Sequence, residues 1–332
     1  MATTIKDIAG RVGVSPSTVS RVINGSAPIS EEVKLRIRDA MKEMDYHPNA
    51  RARSFATGVT NTVGLVINAS NEGIFSNSFF NRSVYAIEKT LQDHSYNLLI
   101  ANDNGRKDSQ ILELVLESKV DGLIIPSSSL NQHLLNALQR KDFPLVVMGQ
   151  PEQEDEQLSW TDIDNYQGAI DGTKELLEHG YQEIVLIIDD GSTLFARNRM
   201  EGYRQAVQGK FPEQIITVEG HYHDFGKQLT DRIRDLSGRG YLCSSNELAF
   251  HLLKTLKGEG VRIPEDAGIV TFDNYPLAEY MEPQLTAIDV DTYQLGRKAA
   301  ELLIEQIHGH REVKHELIMT SMIRRRSSEG SD

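Results

Sequence analysis

The sequence predicts an all-α helix-turn-helix head followed by an α/β core of two doubly wound parallel-sheet lobes. Three observations lead there. Residues 1–47 place apolar side chains at helical spacing between capping residues. The remainder alternates short, nearly continuous apolar runs with amphipathic stretches, the pattern of strands buried on both faces. That alternation runs through two cycles of similar size, the second starting near Asp164.

In the head, Ile5, Ile8, Ala9 and Val12 fall at i, i+3, i+4 and i+7, one apolar helical face. Thr4 can cap that helix at its start and Gly13 at its end. A second helix begins at Ser15, a natural N-cap, with Pro16 at the first helical position, where its missing N–H costs nothing. Val19, Val22 and Ile23 supply its inner stripe, and Gly25 stops it. A third starts after Ser30, which caps it, with Glu31 and Glu32 favouring the positive end of its dipole. Val33, Ile37, Met41 and Met44 face inward. Two short helices joined by a glycine-containing turn and braced by a third are a helix-turn-helix. The outward face of the second helix carries Ser17, Thr18, Ser20 and Arg21. Small hydroxyls and an arginine near a helix N-terminus suit phosphate and base edges.

The body reads as strands and helices in turn. "NTVGLVI", "NLLIAND", "DGLIIPS" and "FPLVVMG" are the strand-like runs of the first cycle. "QEIVLIID", "QIITVEG", "GYLCSS" and "AGIVTFD" are those of the second. Ligands of such sheets bind at the carboxyl ends of the strands, and a cleft between lobes is the default site.

Composition narrows the function classes. Hydrophobic content is 39% and charged content 25%, ordinary globular values. No apolar run reaches the ~18 residues of a membrane span, so no membrane partner is expected. "MATTIKDIAGRVG" lacks the apolar core of a leader, so a cytoplasmic location is expected. Cys243 is the sole cysteine, and the histidines show no metal-ligand spacing, so no metal or cofactor is expected. The net charge is −13, but it is unevenly spread. Residues 1–58 hold nine Lys/Arg against six Asp/Glu, and the rest holds 26 against 42. A basic head on an acidic body points to a nucleic-acid-binding segment. No nucleophile elbow, metal-protease or phosphate-loop motif occurs, and no enzyme chemistry is expected. "DIDN", Asp162 to Asn165, offers two carboxylates that read better as helix cap or ligand contact than as a catalytic pair.

"TIKDIAGRVGVSPSTVSRVING" followed by "YHPNARARSF" resembles the lactose/galactose-repressor family of bacterial transcription regulators. The resemblance extends through the body. It implies a DNA-reading head at 1–47, a hinge helix at 48–60, and a two-lobed, periplasmic-binding-protein-like core at 61–332. The first lobe is expected at about 61–161 and 291–319, the second at 162–290 and 320–332. DNA contacts are expected from Thr4, Ser15, Pro16, Ser17, Thr18, Ser20, Arg21, Asn24, Tyr46 and Asn49. In the hinge, Phe55 stands where the family has a leucine that wedges into the central base step. Arg51 and Arg53 would meet phosphates or the narrowed groove.

The resemblance also implies an effector site. Arg199, Asn246 and Asp273 match effector-contacting positions. Phe79 and Phe80 precede the first lobe's opening helix, where relatives present an aromatic ring, and one of the two is expected in the core. Tyr222, with Phe225 as a further candidate, stands where relatives carry an aromatic lid. Trp160 precedes the lobe crossing and reads equally as interface, core or ligand platform. The long loop "NASNEGIFSNSFF" and "SWTDIDN" resemble maltose/maltodextrin-operon regulators, although Asn77-Ser78 replaces their usual Asn-Pro. The expected partners are therefore a near-palindromic double-stranded DNA operator, a small sugar such as maltose or a maltodextrin, and a second copy in a homodimer. The C-terminal "RRRSSEGSD" lacks the leucine heptad of a tetramerising helix. Competing readings are a stand-alone sugar-binding protein of the same fold and a regulator answering to another sugar, a phosphosugar or a purine.

Overall fold

The computed structural model describes residues 3–25, 28–48, 58–67, 78–103, 110–152, 157–189, 191–219, 222–232 and 238–329. The head consists of α1 (Ile5–Val12), α2 (Pro16–Asn24) and α3 (Glu31–Glu43). The predicted caps of α1 and α2 are present, and the one expected from Ser30 is not made. Thr4 and Asp7 form a reciprocal capping box, and the Ser15 hydroxyl accepts from Thr18 N at 3.1 Å. Gly13 and Gly25 end their helices in the left-handed region at φ 74° and 63°. Ser30 precedes α3 without a side-chain cap bond. Ile8, Ala9, Val12, Val19, Ile37 and Ala40 form the core, with Tyr46 packed against it.

The body contains two six-stranded sheets. The first holds β1 (Thr62–Ile67), β2 (Asn97–Asn102), β3 (Gly122–Pro126), β4 (Leu145–Met148), β5 (Ser159–Ile163) and β11 (His315–Ile318), in the order β11-β5-β4-β3-β1-β2. Every pairing in it is parallel. The second holds β6 (Glu183–Ile188), β7 (Ile215–Thr217), β8 (Arg239–Cys243), β9 (Ala267–Phe272), β10 (Thr286–Asp289) and β12 (Ser321–Ile323), ordered β12-β10-β9-β8-β6-β7. Only the β10–β12 pairing is antiparallel. The central strands are buried almost end to end, because helices cover both faces.

The chain crosses between sheets three times. The first crossing follows Ile163, so the expected break at 161/162 falls inside β5. The second leads from β10 to the helix Thr292–Ile307, and the third from β11 to β12. Two crossings use one local solution. Asp164 (φ −73°, ψ 76°) caps the helix Asn165–Glu178 by accepting from Gln167 N. Asp291 (φ −74°, ψ 78°) caps the helix at Thr292 by accepting from Gln294 N.

Each lobe also buries one tightly packed helix pair. A Cβ on Gly202, in the helix Leu194–Val207, would lie 2.2 Å from Tyr166 O. A Cβ on Gly296 would lie 2.3 Å from Ser83 O in the helix Ser78–Asp93. These glycines are required by close approach of backbones rather than by φ. Gly202→Ala should therefore lower stability by about 1–3 kcal/mol, the usual penalty of overpacking. Urea unfolding checks this, and an unchanged midpoint would show that the helices can part freely.

Candidate functional site

Helix α2 presents an exposed, polar N-terminal face. Pro16, Ser17 and Arg21 are exposed, Thr18 and Ser20 half-buried. The Ser15 hydroxyl joins those of Ser17 and Thr18 at 2.7 and 2.8 Å. Asn24 Nδ2 reaches Ser20 Oγ at 3.4 Å. These side chains form one hydroxyl-rich strip ending at Arg21. Thr4 is exposed beside it in sequence, its hydroxyl held by Asp7 Oδ2 at 2.7 Å. Tyr46 is half-buried against the head core. Asn49, Arg51, Arg53 and Phe55 lie outside the described residues.

The second candidate lies where the strands of the second lobe end. Arg199 is 6% exposed. Its Nε donates to Asn165 Oδ1 at 2.9 Å, and Nη1 donates to Ser244 O. The guanidinium lies 3.8 Å from the Phe272 ring centroid and 5.3 Å from that of Phe195, a cation–π arrangement. Burial pulls its pKa down, while Asp273, Asp162 and Asp189 oppose that. Asp273 directly follows β9, with φ 66°. Neither Asn246 nor Asp273 is a helix cap. Ser245 caps the helix Asn246–Gly258, with Asn246 buried at its first position. Tyr275 precedes the short 3-10 turn that begins at Pro276.

Three carboxyls here are held above their ordinary range. Burial raises Asp273, outweighing Arg199. Burial raises Asp162 despite amide donation from Gln150 and Ile163. Burial raises Glu247, with Asp273 and Asp189 adding to the shift. Burial disfavours the charged form, and like charges nearby add to the effect.

A further signal is the distribution of unsatisfied buried atoms. Among the described residues these are Ser129 Oγ, Thr161 Oγ1, Thr193 Oγ1, Ser244 Oγ and Asp273 Oδ1. Ser129 follows β3, Ser244 follows β8, Asp273 follows β9, and Thr193 opens the helix that carries Arg199. Buried polar groups are normally paired, so each of these atoms is an exception, and two of them, on Ser244 and Asp273, belong to residues beside Arg199. Across the cleft, Glu152 accepts from Leu194 N at 3.0 Å and pairs with Arg197. Asn198 Nδ2 reaches Gln150 Oε1 at 3.4 Å.

The aromatic candidates are buried to different depths. Trp160 is the second residue of β5, packed in the first lobe's core and stacked on His315 with centroids 4.8 Å apart. It lies within β5, every residue of which is buried, rather than past the strand's carboxyl end. Phe80 is core and Phe79 half-buried against it. Phe225 belongs to the second lobe's core. Tyr222 opens the helix Tyr222–Arg232, and its side chain lies outside what is described. Asn165, Phe272 and Glu247 join the site without having been singled out. Their shared signal is position, at or just after a strand's carboxyl end or a helix start.

A helix-turn-helix head on two α/β lobes, with polar and charged side chains gathered where strands end, defines a DNA-binding regulator built on a periplasmic-binding-protein-like core. Residues 4–49 match the bacterial regulatory proteins of the lacI family. Residues 173–328 match the periplasmic binding protein-like domain. The chain is 31% identical over 319 residues to the transcriptional repressor PurR of Vibrio cholerae, covering 92% of this chain and 91% of that one. It is 29% identical over 334 residues to the transcriptional regulator CelR of Thermobifida fusca, covering 98% of each. Among solved structures, a CelR–cellobiose complex superposes with a TM-score of 0.73 at 28% identity, over 98% of this chain and 99% of that one. The lac repressor dimer bound to operator gives 0.81 at 20% identity over 99% of each, a likeness of fold. The chain belongs to the lacI family of bacterial transcriptional regulators. No helix among the described residues is long and apolar enough to cross a membrane.

The shifted carboxyls set a pH dependence. A carboxyl whose folded pKa is raised takes up its proton at higher pH in the folded chain than in the unfolded one. These three groups should therefore stabilise the protein as pH falls from neutral toward the ordinary carboxylate range, and lose that contribution as pH rises. Asp273→Asn keeps the shape, and Asn tolerates a left-handed backbone. It should flatten this slope without lowering the melting temperature at pH 7. A lower melting temperature would show that Asp273 is needed for the fold.

Proposed function

We propose that this chain is an inducible repressor acting in the cytoplasm as a homodimer on a near-palindromic operator. Its effector is a neutral glucoside held between the lobes. The observation that carries the effector reading is the pair of unpaired buried oxygens on residues beside Arg199, Ser244 Oγ and Asp273 Oδ1. Hydroxyl groups can satisfy both sides of that surface, donating to Asp273, Asp162 and Glu247 and accepting from Arg199. The surplus of carboxyls over cations there opposes a phosphosugar. The sequence alone favours maltose or a maltodextrin. The CelR structure bound to cellobiose shifts the preference toward a β-linked disaccharide. Effector binding changes the angle between lobes, and operator affinity changes by the ~1–3 kcal/mol typical of allosteric coupling.

The hydroxyl strip of α2, with Thr4, Asn24 and Tyr46 alongside, reads the operator, and Arg21 supplies its cation. Arg21→Ala should weaken operator binding by the ~1–3 kcal/mol of a good base contact in each half-site, with effector binding unchanged. Fluorescence anisotropy on an operator duplex measures both, with cellobiose, maltose, maltotriose, glucose 6-phosphate and a purine as the effector arms. Unchanged operator affinity in the variant would sink the assignment of Arg21. Release by glucose 6-phosphate alone would sink the neutral glucoside.

The hinge segment adds a second contact. Phe55, with Arg51 and Arg53 at its side, enters the minor groove as an apolar wedge and kinks the duplex, with Asn49 leading in. Phe55→Ala is expected to reduce both operator affinity and the bend angle measured by fluorescence energy transfer across the duplex. Preservation of both would rule out the wedge.

A further inference from the structure

The sheet of the first lobe has a second functional edge, opposite the cleft, where the chain arrives from the head. Residues 58–61 approach β1 there. Asp121, immediately before β3, accepts from Thr60 N at 2.8 and 3.1 Å through its two oxygens, and from Asn61 N at 2.7 Å. Its own backbone N–H donates to Thr62 O at 2.8 Å. On the other side Asn97 holds Asn61 O, through its backbone N at 2.8 Å and its side chain at 3.3 Å. Asn61 has φ 51°, so the chain turns sharply at the point of attachment. Beneath lies an open cavity of about 700 Å³, lined by Gly58, Val59, Val120, Phe143, Pro144 and Ile307 among others. The root of the hinge is thus bridged by hydrogen bonds over a space that side chains leave open.

The internal repeat supplies a control. Gly122 pairs with Val63, and in the second sheet Gly240 pairs with Ile184. Arg239 therefore occupies in the second lobe the place that Asp121 occupies in the first. It makes an ion pair with Glu183 at 3.0 Å. The same sheet position is filled without clamping the incoming backbone in the lobe that carries no head. A carboxylate at this place is not demanded by the sheet itself.

The geometry points to Asp121 as a positioning residue for DNA binding: its carboxylate fixes the direction in which the hinge leaves the first lobe, and so the placement of each head on the operator. Two amides converging on one carboxylate resist rotation about the chain, as a single bond would not. The first sheet then acts as one stiff piece, with effector contacts at its carboxyl edge and the hinge clamp at its amino edge.

The test uses the full chain carrying Asp121→Asn or Asp121→Ala, and a palindromic duplex selected from a random pool by the unaltered chain. Asn keeps one accepting oxygen and turns a donor toward the amides, so it disturbs the clamp with least change of shape. Operator affinity should fall at least tenfold with Asn and further with Ala. Amide hydrogen exchange at Thr60 and Asn61 should quicken. Effector affinity and melting temperature should stay within twofold and about two degrees of the unaltered chain. Faster exchange at both amides with operator affinity retained would overturn the proposal. So would a parallel loss of effector binding, which would mark Asp121 as a general structural residue. Should the Ala variant fail to fold, the Asn variant alone decides between these outcomes.

Discussion

Parallel pairing obliges every strand of a sheet to point its carboxyl end the same way, and most of this molecule follows from that obligation. Each lobe stacks its strand ends along one edge, where backbone and side-chain polar groups have no further strand to meet. In the second lobe that edge gathers Ser244, Asp273, the Arg199 guanidinium and the carboxyls around it. A charge buried this deeply persists only when paired and hydrogen-bonded. Arg199 meets the condition through Asn165, Ser244 O and the Phe272 face. The carboxyls meet it only in part, and their raised pKa values are the record of that shortfall.

The two lobes solve the same packing problem with related local means. Asp164 and Asp291 cap the helices that follow two of the crossings with nearly identical backbone angles. Gly202 and Gly296 let a helix pair close in each lobe. Divergence then shows where the lobes differ in task. Asp121 meets the chain from the head, while its counterpart Arg239 is occupied by Glu183.

Local chemistry was legible in the sequence wherever a residue acts through its immediate neighbours. Thr4, Ser15, Gly13 and Gly25 cap helices as their positions imply, and the apolar stripe of the head is its core. The alternation of strands and helices carried through both lobes. What failed was depth. Trp160 could be read as core, interface or ligand platform, and Phe225 as a lid, because a ring near a strand or loop reads the same whether it turns inward or outward. In β5 the strand period turns Trp160 onto His315 and the core. The neighbourhood of Arg199 was hidden for another reason. Asn165, Phe272 and Glu247 come from three distant segments and meet only through sheet order. The first crossing, expected at about 161/162, follows Ile163, because β5 runs on through Asp162 and Ile163.

Three crossings lie side by side, where β5 and β11 neighbour each other in one sheet and β10 and β12 in the other. Several straps set in a row act mechanically as a door hinge: they resist sliding and twisting but yield to one rotation. Straps so placed favour rotation of one lobe against the other about their row. A rotation about that axis is small at the cleft wall and grows with distance from it. The amino edge of the first sheet, where Thr60 and Asn61 are clamped, is at the far end of that lever. Stiffness in the straps, more than flexibility, would carry a movement at the strand ends to that edge.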